Sequence, residues 1–100
     1  MEGEPRARRT GFTRPMSQEQ KARIALRYSL SDGYLARAVW TAQELLQTFG
    51  EQTEAFELVP GDPGDFEVHV DGKLVFSAKA SGRFPEIMEL WEGVMALLPE

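Results

Sequence analysis

The pattern of apolar and polar residues predicts four β-strands in this chain. Residues 22–28 and residues 66–70 alternate in the manner of strands that each bury one face. Residues 53–59 form a short, mostly apolar run. Residues 74–77 follow Asp71-Gly72, which is the strongest hairpin signal in the sequence. The pattern therefore predicts four strands, the last two of which form a hairpin.

Two further segments carry apolar residues at helical spacing. The first helix is predicted over residues 34–49 and is expected to end at Gly50, because glycine commonly terminates helices. The second is expected to begin near Pro85 and to end at Pro99. The apolar residues are Leu35, Ala38, Val39, Ala42, Leu45, Leu46 and Phe49 in the first helix, and Phe84, Ile87, Met88, Trp91, Val94, Met95 and Leu98 in the second. Each helix is thus predicted to bury one face.

These elements occur in the order β-α-β-β-β-α. A helix between the first two strands requires those strands to be parallel, with a right-handed crossover. Because both helices have one apolar face, we expect them to cover one side of a four-stranded mixed sheet. This is an α/β (α+β) fold with the thioredoxin-like layout. The other side of the sheet is expected to show Glu67 and His69, together with Val75 or Ser77.

The amino-acid composition excludes several classes of function for this protein. The 100 residues suffice for one domain, predicted over 21–100, after a disordered basic tail at 1–20. No apolar run is long enough to span a membrane, so a cytoplasmic protein is expected. The net charge of −5 argues against nucleic-acid binding by the folded domain. The absence of cysteine excludes thiol chemistry, and His69 is the only histidine, so neither a metal nor a cofactor is expected.

The junction between the first strand and the first helix is the strongest candidate for a functional site. Ser29, Ser31, Asp32 and Gly33 are residue types that end strands and begin helices. A strand that leads directly into a helix brings unpaired N–H groups and the positive end of the helix dipole to one place. In the simplest hypothesis Asp32 only caps the helix, with Ser29 as its partner in a shortened capping box.

Six short motifs occur in the order and spacing of a known protein family. They are Ile24-x-x-x-Tyr28, Tyr34-x-x-Arg37-Ala38, Leu58-Val-Pro-Gly61, Gly64-Asp-Phe-Glu-Val68, Val70-Asp-Gly-Lys-Leu-Val-Phe-Ser77 and Gly82-Arg-Phe-Pro-Glu86. Over residues 22–98 the chain thereby resembles the selenoprotein W-like proteins, the Rdx group, whose relatives include selenoproteins T and H. The resemblance implies a thioredoxin-like fold, a part in cell redox homeostasis, and a Cys-x-x-Cys or Cys-x-x-selenocysteine pair after the first strand.

In this sequence the two redox positions implied by the resemblance hold Ser29 and Asp32. Thiol–disulfide exchange needs one thiolate to attack and a second sulfur to resolve the mixed disulfide. A serine hydroxyl ionises too weakly to replace a thiolate, so the activity of the family is not expected here. The leading hypothesis is a redox-inactive protein-binding module with an unknown protein partner.

The residues expected at the interaction surface are grouped around the junction and on the first helix. They are Tyr28, Leu30, Ser31, Gly33, Tyr34, Gly64, Asp65 and Trp40. A second hypothesis is a small-molecule site or weak hydrolytic enzyme, in which Asp32 and Asp65 divide the acid and base roles. A third is a weak homodimer formed through Trp40 and the helix faces. Trp40 falls off the apolar stripe of its helix, and exposed tryptophan is enriched at interfaces.

Overall fold

The structure, a computed structural model, describes residues 21–99 and contains a four-stranded mixed sheet. The strands are β1 (Ala22–Ser29), β2 (Thr53–Gly61), β3 (Phe66–Val70) and β4 (Lys73–Ser77). They lie in the order β2-β1-β3-β4; β1 is parallel to β2, and the other two pairings are antiparallel. The mixed sheet and its element order confirm the prediction. The tail predicted at 1–20 lies outside the described residues.

Two helices cover one face of this sheet. Helix α1 (Leu35–Phe49) follows β1, and a 3-10 turn (Gly50–Gln52) leads from it into β2. A short helix, α2 (Ala78–Ser81), follows β4, and α3 (Ile87–Leu97) lies near the end of the chain. None of the helices in residues 21–99 is long and apolar enough to cross a membrane.

The core lies between the sheet and the helices α1 and α3. Its buried side chains are Ala22, Ile24, Leu26 and Tyr28 from β1, Phe66, Val68 and Val70 from β3, Phe76 from β4, Ala38, Leu45 and Phe49 from α1, and Leu90 and Val94 from α3. Full burial of each large apolar side chain contributes about 1.5–3 kcal/mol of hydrophobic stabilisation. Burial of alternate residues on β1 and β3 confirms that the sheet has one buried face.

The β3–β4 hairpin turns at Asp71 and Gly72, as predicted. Both residues have positive φ, 52° and 82°, which a two-residue type I′ turn requires. Asp71 also joins the turn to β1. Its carboxylate accepts the N–H of Arg23 at 3.0 Å, and its own N–H donates to the Arg23 carbonyl at 2.8 Å.

The face of the sheet away from the helices carries Glu67 and His69, which alternate with buried residues of β3 as predicted. Val75 does not lie on this face, contrary to one of the two alternatives. An irregularity in the β3–β4 register after Val68 turns it toward the helices, where it packs against the core. Ser77 is buried, and its hydroxyl donates to the Glu67 carboxylate at 3.3 Å.

Some element bounds differ from the prediction, and one short helix was not predicted. β2 continues through Pro60 to Gly61 rather than ending at residue 59; it is an edge strand, and an edge strand tolerates a residue without an N–H. Helix α1 ends at Phe49 with Gly50 as its C-cap, as predicted; the φ of Gly50 is −57°, and the chain continues from there into the 3-10 turn. Helix α2 was not predicted, since four residues are too few to show a helical period. It is defined instead by Ser77, which accepts the N–H of Ala80.

Candidate functional site

The candidate site is the 29–34 loop, which connects β1 to α1. The carbonyl of Ser29 accepts the N–H of Tyr34 at 3.1 Å, and the carbonyl of Leu30 accepts the N–H of Gly33 at 3.0 Å. Gly33 has a φ of 77°, which glycine adopts without strain. These bonds fix a compact turn before α1 begins.

Ser29 and Asp32 are hydrogen-bonded to each other within this loop. The buried Ser29 hydroxyl donates to Asp32 Oδ2 at 2.7 Å and accepts the Asp32 N–H at 3.1 Å. The hydroxyl of Ser31 lies 3.3 Å from that of Ser29. The side chains at the two positions that the resemblance assigns to a redox pair are therefore in direct contact.

The carboxylate of Asp32 also binds the 62–65 loop, which precedes β3. Its Oδ2 accepts the N–H of Gly64 at 2.7 Å, and the N–H of Ser29 donates to the Asp65 carbonyl at 2.8 Å. Two hydrogen bonds lower the pKa of Asp32, because both donors favour its charged form. The bond from the Ser29 hydroxyl has the larger effect, and the bond from the Gly64 N–H has the smaller one. This carboxylate thus joins the two loops.

Asp32 does not cap α1, contrary to the simplest hypothesis. The helix begins at Leu35, and Tyr34 occupies the N-cap position without a side-chain hydrogen bond to the first turn. Asp32 lies outside the cap position, and its Oδ2 accepts from Ser29 and Gly64 instead. Its structural role is to connect loops rather than to start a helix.

The buried side chain of Asp65 anchors the 62–65 loop. Its side chain is 7% exposed, with Oδ1 accepting from Lys79 Nζ at 2.9 Å and Oδ2 accepting from Arg27 Nε at 2.9 Å. Oδ2 also accepts the N–H of Asp62 at 2.8 Å. These donors, of which Lys79 has the largest effect, lower the pKa of Asp65 to about 2. The loop is therefore tied to both β1 and α2.

Neither carboxylate suits the acid–base hypothesis. A general acid at neutral pH requires a raised pKa. The pKa values of Asp32 and Asp65 are instead both lowered by their hydrogen-bond donors. Within residues 21–99 there is also no group of three or more His, Asp or Glu side chains that could hold a metal ion.

A cavity of about 250 Å³ lies beside the joined loops. Its lining residues are Tyr34, Gly64, Ala78, Gly82, Arg83 and Phe84. The rings of Tyr34 and Phe84 meet edge to face with centroids 4.9 Å apart, and the guanidinium of Arg37 lies 4.0 Å from the Phe84 centroid. One wall of the cavity is thus aromatic, with a cation stacked on it.

Residues 23–96 match the sequence model of the Rdx family. The chain belongs to the Rdx family. It is similar to a protein of known crystal structure from Bordetella parapertussis, with 40% identity and a TM-score of 0.75 over 78% of this chain and 99% of the other. It is also similar to a selenoprotein W-related protein from Vibrio cholerae, with 35% identity and a TM-score of 0.76 over 79% and 99%. No curated protein matches the sequence significantly.

Membership of the Rdx family confirms the resemblance found in the sequence motifs. The fold is thioredoxin-like, as the resemblance implied. In this Rdx protein Ser29 and Asp32 lie where β1 leads into α1, and the 62–65 loop lies directly against them. The residue-level contacts described above therefore lie within the residues that match the family model.

Most of the residues expected at the interaction surface of this Rdx protein lie together. Leu30, Ser31, Gly33 and Tyr34 are in one loop, with Gly64 and Asp65 in the loop beside it. Among the large apolar side chains of these two loops, Leu30 is the most exposed, at 55%. Tyr28 was wrongly included, because the alternation of β1 buries its ring in the core. Trp40 is exposed, but it lies along α1 rather than at the loop.

Four residues that support the site were missed by sequence reasoning. Arg27 and Lys79 bind Asp65; Phe84 belongs to the aromatic wall of the cavity, and Arg37 stacks on the Phe84 ring. The family-like motifs already contained Arg37 and Phe84, and that signal was sufficient to identify them. Lys79 gave no signal, because it lies in the short helix that was not predicted.

Proposed function

We propose that this Rdx-family protein is a redox-inactive protein-binding module that recognises its partner through the 29–34 loop. The observation that carries the proposal is the position of Asp32. Its carboxylate stands at the second redox position and is bonded to both Ser29 and Gly64. The loop keeps a fixed shape, whereas the sulfur or selenium atoms that exchange requires are absent from it.

The chemistry of the two positions supports the redox-inactive part of the proposal. The chain contains no cysteine, so no thiolate is present to attack a disulfide. The lowered pKa of Asp32 keeps its carboxylate ionised at neutral pH, and the hydroxyl of Ser29 is used in binding that carboxylate. Neither oxygen forms the reversible bond to sulfur on which the exchange reaction depends.

The fixed backbone of the loop supports the binding part. A loop that becomes ordered only on binding loses conformational entropy, and a preorganised loop avoids much of that cost. Here hydrogen bonds inside the loop and to Gly64 hold the backbone before a partner arrives. Leu30 is exposed on this fixed backbone. It offers a partner an apolar contact of a kind that commonly contributes to interfaces.

The anchoring of the second loop adds to this rigidity. Asp65 ties it to Arg27 on β1 and to Lys79 on α2. Both loops of the recognition surface are thus supported by regular elements. A site on such a support keeps its geometry better than one on free loops.

Affinity capture from a lysate of the source cells tests the proposal. The full chain serves as bait beside Leu30→Asp. Leu74→Asp is the matched control, because Leu74 is 53% exposed on β4, at the opposite end of β3 from the loop. We expect one stoichiometric partner to be retained by the wild type and the control. Leu30→Asp should reduce its retention by a factor of about 5 or more, since loss of a central apolar contact costs over ~1 kcal/mol.

Two outcomes would contradict this function. One is the absence of any stoichiometric partner, and the other is a partner that all three baits retain equally. Circular dichroism of the three purified chains should show the same folded spectrum, so that a loss of binding is assigned to the loop and not to unfolding.

A further inference from the structure

The side of α1 that faces away from the sheet is unusually apolar. Its large side chains are Leu35, Val39, Trp40 and Leu46. Each is 41–50% exposed. They do not form the centre of the core, because α1 packs on the sheet through a different side of the helix, where its buried residues lie.

No charged residue lies within the arc of the helix that these four side chains span; Arg37 and Glu44 lie beyond Trp40 at its edge. The residues between the four apolar ones are Ala36, Gln43 and Gln47, and all three are exposed. At about 100° per residue, these seven residues together cover about 140° of the helix circumference. We call them the outer face of α1. A helix side that stays in water normally carries charged side chains, so this composition is typical of a surface that another surface covers.

Helix α3 shows the ordinary arrangement in the same layer of the fold. It also exposes two large apolar side chains, Met88 and Met95. The exposed Glu92 lies between them, one helical turn from each. The lack of charge is therefore a property of the outer face of α1 and not of both helices.

The distribution of charge indicates which occupant fits this face. Residues 21–99 contain twelve Asp or Glu and seven Lys or Arg, so two copies of the domain repel each other over most of their surfaces. A basic partner would bind the carboxylates on the rest of the domain surface, and it would gain no ionic contacts at the outer face of α1, which has no carboxylates. A second copy can approach through the outer face without bringing like charges together.

The spacing along α1 is also self-complementary. Leu35 lies five residues before Trp40, and Leu46 lies six residues after it. If two α1 helices pack antiparallel about a two-fold axis near Trp40, Leu35 of one copy lies beside Leu46 of the other, and the reverse holds by symmetry. A symmetric dimer requires this property, because the same patch must fit itself.

We propose that two copies of this protein form a dimer by packing the outer faces of α1 against each other in antiparallel orientation. This association is independent of partner recognition by the 29–34 loop. The loop adjoins the first residue of α1, so an antiparallel pair leaves the two loops at opposite ends of the interface. Both loops remain accessible, and the dimer is bivalent toward a partner.

Sedimentation equilibrium of the full chain, from low micromolar to millimolar concentration, tests the dimer. We expect the mass to rise from the 11.2 kDa of one chain toward twice that value. Val39→Glu and Gln43→Glu each place a charge on the outer face. Each is expected to weaken association by a factor of about 10 or more, since an unpaired charge is costly to bury. Met95→Glu adds the same charge to α3 and should leave association unchanged.

Fluorescence reports on the interface itself. The chain has two tryptophans, so a Trp91→Phe variant leaves Trp40 as the only indole. Its emission should move to shorter wavelength as the concentration rises, because dimerisation takes the ring out of water. A single-chain mass at every concentration would overturn the proposal, as would association that persists unchanged in both outer-face variants while they remain folded by circular dichroism.

Discussion

At the scale of single residues, Asp65 shows how one carboxylate orders the 62–65 loop. Burial of a carboxylate is costly unless donors surround it. Asp65 meets this requirement with Lys79, Arg27 and the N–H of Asp62. Because the two cations come from different elements, this residue couples the 62–65 loop to β1 and α2 at once.

Replacement of Asp65 by Asn tests this coupling. The amide has no charge to pair with Arg27 and Lys79, so we expect the free energy of unfolding to fall by about 1–3 kcal/mol, the usual cost of losing hydrogen bonds to charged groups. Urea unfolding at neutral pH measures the change. Asp62→Asn is the control, because Asp62 is mostly exposed and its carboxylate is 3.7 Å from Arg27. We expect it to change stability by less than about 0.5 kcal/mol. Equal effects of the two substitutions would refute the assigned role.

The same residue predicts a dependence of stability on pH. Folding lowers the pKa of Asp65 from the ordinary value of 3.8 to about 2. Its contribution is therefore complete above pH 3.8 and is lost as the pH falls toward 2. We expect the wild type to lose stability over this interval more steeply than Asp65→Asn does. Parallel curves would show that other carboxylates, such as Asp32 or Glu89, account for the acid sensitivity.

At the scale of elements, hydrophobic periodicity was sufficient for the strands and for the two long helices, because each of them buries one face. Periodicity failed where a single residue alters the register. The irregularity after Val68 moves Val75 to the helix side, and alternation along the sequence cannot reveal an extra residue in one strand. Helix α2 escaped prediction for a related reason, since its definition depends on a cap and not on a period.

The sequence was sufficient to predict where the candidate site lies in the chain, but not which hydrogen bonds its residues form. The family-like motifs located the redox positions at Ser29 and Asp32. The hydrogen bond from the Gly64 N–H to the Asp32 carboxylate joins two residues that are 32 positions apart in the sequence. Only the folded sheet brings those residues together, so the sequence alone favoured the nearer alternative of a helix cap. The partners of Asp65 were missed for the same reason.

Close packing of α3 on β4 yields a prediction for Gly93. A Cβ at this position would lie 2.6 Å from Cγ1 of Val75, a branched side chain that is stiff at χ1. We therefore expect Gly93→Ala to reduce the free energy of unfolding by about 1–2 kcal/mol, although alanine favours helices, because overpacking typically costs more than the gain in propensity. Thermal or urea unfolding measures the effect.

A double variant provides the control for this contact. Val75→Ala removes the obstructing methyl groups, so Gly93→Ala should cost less in that background than in the wild type. If the cost of Gly93→Ala is the same in both backgrounds, the two residues are not coupled and the predicted conflict does not exist.

At the scale of the whole molecule, the acidic surface and the uncharged outer face of α1 have opposite effects on the association of two copies. The net charge of −5 and the isoelectric point near 4.9 mean that copies repel at neutral pH. The outer face of α1 favours association by removing apolar surface from water. The balance between these effects should therefore depend on conditions that change charge and leave the face itself unaltered.

Two such conditions predict the same direction of change. Lowering the pH from 7 to 5 brings the net charge close to zero, while Asp65, with a pKa of about 2, remains ionised. Added salt at pH 7 screens the repulsion instead. We expect the dimer fraction in sedimentation to rise in both cases, by severalfold at a fixed concentration. Weaker association at higher salt would mean that ion pairs, and not the outer face, hold the copies together.

The contact between the side chains at positions 29 and 32 also bears on how such a protein evolves. Ser29 Oγ and Asp32 Oδ2 are already 2.7 Å apart, and the surrounding turn is closed by backbone bonds that do not depend on either side chain. The backbone of the turn can therefore keep its shape when the residue types at positions 29 and 32 change. The fold and the chemistry of these two positions can thus change independently in evolution.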